Sequence, residues 1–133
     1  MLRFFDCDDH LEVDLIERER GDAWVAVSVR SSGFAAAIGE CWIDGPEFRG
    51  FCRALIELER TRNGRVALSA MSPGELELAI VPMSSLGAFA VTGSLSKRSP
   101  RPELCHALKF GFAFDPSQLI AAAAVPWVKE TAR

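Results

Sequence analysis

The sequence predicts an α+β fold: antiparallel sheet in the order β-β-β-α-β-β-β-β-α, with the middle helix packed on the sheet. Three observations predict it. Apolar residues alternate with period 2 on both sides of one stretch of period 3.6. In that stretch Phe48, Phe51, Cys52, Leu55 and Leu58 fall on one helical stripe. Strand runs that do not alternate regularly with helices argue against a doubly wound parallel sheet. The chain has 133 residues, 49% apolar and 25% charged, which suits a single domain over residues 1–133 with one core.

The elements follow in order. Leu11, Val13 and Leu15 alternate with Glu12, Asp14 and Ile16, the pattern of a strand with one wet face, and Glu17 to Gly21 reads as an exposed turn. Ala23 to Arg30 alternates again, Ser31-Ser32-Gly33 supplies turn chemistry, and Phe34 to Ile43 makes a third strand. Asp44-Gly45-Pro46-Glu47 is a helix start: Asp44 is expected to accept from an amide of the first turn and Glu47 to reach back, with proline placed where no amide bond is lost. Arg53 and Glu57 are spaced for an i,i+4 pair, and Asn63-Gly64 offers a left-handed exit.

Period 2 then returns. Val66, Leu68 and Ala70 are followed across Ser72-Pro73-Gly74 by Leu76, Leu78 and Ile80, which predicts a hairpin. Gly87 to Ser96 aligns Phe89, Val91 and Leu95, and Leu104, Leu108, Phe110, Phe112 and Phe114 form the strongest strand face. Asp115-Pro116-Ser117-Gln118 repeats the helix-start chemistry before a short Ala-rich helix that Pro126 ends or kinks.

Composition excludes more chemistry than it assigns. The net charge is −3, with residues 1–22 at −5 (eight acids, three bases) and the rest at +2, so no nucleic-acid partner is expected. Acids from Asp6 onward in place of a basic start and an apolar run predict a cytoplasmic chain without a secretory signal. The 19 uncharged residues from Leu78 to Ser96 hold Pro82, Gly87 and Gly93 among several Ser and Thr; two short strands around a turn through Ser84 and Ser85 are expected, not a membrane span. Cys7, Cys41, Cys52 and Cys105 form no C-x-x-C pair, and reduced, mostly buried thiols are expected.

Nucleophile-elbow, P-loop, dinucleotide and zincin motifs are missing, so no catalytic residue, metal site or cofactor is assigned. Asp6, Asp8, Asp9 and His10 read as a solvated acidic end. Glu40 shares parity with Phe34, Ala36, Ile38 and Trp42, an apparent core-facing set; a bulge or a frayed strand end would turn it outward. Ala35, Ala37, Gly39 and Cys41 lie opposite that set, as Ala88, Ala90, Thr92 and Ser94 lie opposite Phe89 and Val91, and Cys105, Ala107, Gly111 and Ala113 lie opposite the late phenylalanines. This small-residue face admits close approach by the C-terminal helix, by a second subunit as a homodimer, or by a protein partner. Lys97, Arg98 and Arg101 make the one compact basic loop, a candidate partner contact.

Trp42 to Phe48, Leu55 to Gly64, Leu76-Glu77-Leu78 and the Phe110–Phe114 strand running into Asp115-Pro116 together resemble the WapI-type immunity proteins of bacteria, over about residues 23–125. The resemblance implies a non-enzymatic cytoplasmic antidote or binding protein. A protein-binding module, an immunity protein that neutralises a toxin by occupying it, is therefore the expected function. The alternative is a small-ligand domain whose pocket lies between sheet and middle helix, with Glu40, Trp42 and His106 as candidate lining residues.

Overall fold

The computed structural model describes residues 1–83, 87–97 and 99–133, Pro102 by its backbone alone. Four strands, β1 (Leu2–Asp6), β2 (Asp9–Glu19), β3 (Asp22–Ser31) and β4 (Phe34–Ile43), pair in chain order as an antiparallel sheet. Helix α1 (Gly45–Thr61) leads to a second antiparallel sheet of β5 (Val66–Ser69), β6 (Leu76–Pro82), β7 (Phe89–Lys97) and β8 (His106–Phe114), also in chain order. Two short helices, α2 (Gln118–Ala123) and α3 (Pro126–Ala132), follow. The class is the α+β antiparallel one the periodicities predict. The turn expected through Ser84 and Ser85 lies outside the described residues.

Two-residue connections build the first sheet. Arg20-Gly21 and Ser32-Gly33 each take positive φ at both positions (53° and 90°, 52° and 84°), the hairpin geometry whose twist matches the strands. Three expectations change here. Leu2–Asp6 is a strand, paired in full with β2. Glu17 to Glu19 stay in β2, because a bulge between Leu15 and Glu17 absorbs one residue and leaves Ile16 half-exposed. The C-terminal helix is two helices: Pro126 opens α3 instead of merely ending α2, its missing N–H being no loss in a first turn.

The core lies where the two inner sheet faces and the α1 stripe meet. Phe4 of β1 and Phe114 of β8 touch across the sheets with ring centroids 4.6 Å apart, and Phe48 stacks on Trp127 of α3 at 5.5 Å. Phe89, Phe110, Phe112 and Phe114 are buried as the alternation predicts. Each such ring contributes about 1.5–3 kcal/mol on burial, so a one-residue slip of β8 would forfeit all of its phenylalanines at once. Gly93 faces Phe110 across the β7–β8 ladder, and a Cβ there would stand 2.9 Å from that ring.

Helix α1 carries the predicted stripe, buried at Phe48, Phe51, Cys52, Leu55 and Leu58. Its polar ends differ from expectation. The Asp44 side chain makes no cap; Asp22 of β3 does, its Oδ1 accepting from Gly45 N–H at 2.8 Å. Glu47 reaches outward to β5, accepting from Ser69 N–H at 3.0 Å. Glu57 pairs with Arg60, and Arg53 donates from Nε to the Ala132 carbonyl at 3.0 Å. The exit is left-handed twice: Arg62 closes the helix at φ 56°, and Gly64 follows at φ 101° as the Asn63-Gly64 pair predicts.

Candidate functional site

A bulge sets the geometry of the candidate site. Between Val25 and Val27 of β3, β4 advances from Cys41 to Ile38, so Gly39 and Glu40 together oppose one residue. Parity reverses at that point, and the expected core-facing set divides. Cys41 and Ile43 go into the core; Glu40 is turned out to solvent; Trp42 faces outward, half-buried, stacked on Trp24 at 4.9 Å. Phe34, expected inward, is 66% exposed where β4 runs past the edge of the core. The small-residue reading keeps Ala35, Ala37, Cys105, Ala107, Gly111 and Ala113, all exposed, and loses Cys41 and Ala90, which are buried.

Beside the first half of β4 runs a groove of about 360 Å³, lined by Phe34 to Ile38 on one wall and by Leu95 to Lys97 and His106 to Leu108 on the other. It continues into a second hollow of about 500 Å³ lined by Gly39, Glu40, Ser72, Pro73 and Glu75, and Ile38, Ser96 and Lys97 belong to both. Lys97 thus lines both hollows, sharing one with Glu40 and the other with His106. Trp42 lines neither: its carbonyl accepts from Met71 N–H at 2.8 Å and its ring lies over Trp24. Arg101 is exposed in the loop that joins β7 to β8, the two strands of the far wall, and Arg98 lies outside the described residues. The space expected as a pocket between sheet and α1 is occupied by Phe48, Phe51 and Leu55, all buried.

The cleft holds both charge and apolar surface. Cys41, next to Glu40 on β4, is buried, and burial together with the neighbouring Glu75 pushes it up to about 12, so it stays a thiol and not a nucleophile. Cys52 is likewise pushed up to about 12 by burial, with Thr131 and Arg18 pulling the other way. Among the described residues no three His, Cys, Asp or Glu side chains gather to hold a metal ion. Asp9 of the acidic end is a turn staple, accepting from Ser32 N–H at 2.9 Å. Among the described residues no helix is long and apolar enough to cross a membrane.

Sequence reasoning missed a further hollow of about 600 Å³ between the helices, lined by Arg53, Glu59 and Lys129 together with Ile56, Ile120 and Ala132. The unpaired i+4 spacing of Arg53 within α1 is a weak signal for it; the floor depends on the α2–α3 break.

These features describe a two-sheet α+β body with a filled core and open clefts at its margins. The model of the WapI-like immunity protein family matches residues 3–125, and the chain belongs to that family. No curated protein and no solved structure matches the chain.

Proposed function

We propose that the chain is a cytoplasmic immunity protein that neutralises a toxin by binding it one to one, without catalysis. Membership of the WapI-like family supports the toxin-immunity role. The observation that carries the binding surface is Phe34: a large aromatic 66% exposed on the rim of an apolar groove that Lys97 also lines. Interfaces draw most of their affinity from a few aromatic and cationic anchors set in such surroundings. The contact spans Phe34, Lys97 and His106, with Arg101 at the rim steering an acidic partner toward the groove.

Co-expression with the toxin domain encoded in the adjacent reading frame tests this. The wild-type chain restores growth, and Phe34→Ala with Lys97→Glu weakens binding of the purified toxin domain at least about a hundredfold. Toxicity undiminished by the wild-type chain sinks the immunity reading; full protection by the double variant moves the contact elsewhere.

A further inference from the structure

The hollow of about 600 Å³ between the three helices shares no residue with the Phe34 groove. Its apolar lining is aliphatic: Ile56 of α1, Ile120 and Ala123 of α2, and Ala132 of α3. Ile120 is 57% exposed, on a helix whose other large side chain, Leu119, is fully buried. Alanines at 123, 124 and 132 leave the space open where longer side chains would fill it. Exposed cations share this lining. Arg53 Nε donates to the Ala132 carbonyl at 3.0 Å, which ties α1 to α3 and holds the guanidinium in place. Both of its Nη groups remain without a partner among the described residues. Neither Arg53 nor Lys129 makes an ion pair among the described residues. Arg133 adds a third cationic side chain, against Glu59 as the acidic one.

The chemistry of the lining narrows the ligand. Among the described residues no lining side chain is aromatic or carries a hydroxyl, so the hollow offers no stacking platform for a nucleobase and no hydroxyl partner for a sugar. An aliphatic surface beside a forked guanidinium and an ammonium suits a hydrocarbon chain that ends in an anion. The volume lies within the range that small-molecule sites occupy. We infer that this hollow binds an aliphatic carboxylate of medium chain length. The carboxylate sits on Arg53 and Lys129, and the chain lies along Ile56 and Ile120. Lys129, Ala132 and Arg133 fall beyond residues 3–125 that the family model matches, and the site does not rest on the immunity reading.

Titration of the full chain, its isoleucine methyls isotope-labelled, with octanoate tests this by NMR. The Ile56 and Ile120 methyl signals shift together and saturate with a Kd of about 0.1 to 1 mM, while Ile38 in the Phe34 groove stays still. Butyrate, with the same head and little chain, binds at least about tenfold more weakly. Octanol, with the chain and no charge, binds at least about fivefold more weakly. Arg53→Gln with Lys129→Gln, both exposed positions, weakens octanoate at least about fivefold with an unchanged circular dichroism spectrum. Should that variant fail to fold, the comparison of octanoate, butyrate and octanol on the wild-type chain decides alone. Silence of Ile56 and Ile120 toward octanoate overturns the proposal, as does octanol binding as well as octanoate. Co-sedimentation with phosphatidylglycerol vesicles in the absence of octanoate binding overturns it too, since the cations would then serve a membrane surface.

Discussion

Gln118 and Phe5 exchange two hydrogen bonds across 113 residues of chain: Phe5 N–H donates to Gln118 Oε1 at 2.9 Å, and Gln118 Nε2 donates to the Phe5 carbonyl at 2.8 Å. The side-chain amide thus stands where a neighbouring strand's peptide would stand, and α2 closes the edge of β1. The Gln of the D-x-x-Q start serves the sheet and not its own helix.

Gln118→Ala therefore removes both bonds and reopens the edge. A loss of about 1–2 kcal/mol is expected, since the pair lies near solvent. Urea unfolding checks it, and Gln118→Glu recovers only the bond to Phe5 N–H. An unchanged midpoint in Gln118→Ala would show that the exchange contributes nothing.

The start of α1 gives a paired test. Asp22→Ala leaves Gly45 N–H without its acceptor and costs about 1 kcal/mol, the usual value of a lost cap. Asp44→Ala, which removes a side chain that makes no cap, changes stability by less than about 0.5 kcal/mol. Thermal melts of the two variants rank them; the reverse order contradicts the structure.

Much of this fold was legible because hydrocarbon periodicity is local. Phe110, Phe112 and Phe114 announced the core face of β8, and Phe48 to Leu58 announced α1. A bulge was one of the two devices that could turn Glu40 outward, but its position at Gly39–Glu40 was not legible, since one extra residue reverses parity without changing composition. Trp42 was misplaced as a result. Phe34 keeps its parity and is exposed because β4 runs past the edge of the core. Asp22 capping Gly45 and Gln118 bracing Phe5 depend on distant chain returning to the same point, for which no local pattern exists. The hollows that Lys97 shares with Glu40 and with His106 likewise arise from the meeting of two sheets.

The buried thiols set a pH dependence. Cys41 and Cys52 stand near 12 in the folded chain, against about 8.5 for an exposed thiol. Above about pH 9 the unfolded chain releases these protons while the folded chain retains them, so stability falls as pH rises toward 12. The slope from these groups reaches at most about 1.4 kcal/mol per pH unit per thiol and vanishes below about pH 8. Urea midpoints across that window measure it, with Cys52→Ala showing a shallower fall. At neutral pH a thiol reagent modifies the exposed Cys7 and Cys105 at once, and Cys41 and Cys52 only on unfolding.

Occupation of a toxin, as opposed to its chemical destruction, is tested most directly by titrating the activity of the purified toxin domain with the purified chain. Binding predicts a linear fall to a sharp endpoint at one chain per toxin domain, with active toxin recovered when the complex is denatured and the toxin refolded. Inactivation by far less than one equivalent, or toxin that stays inactive after separation, would contradict it.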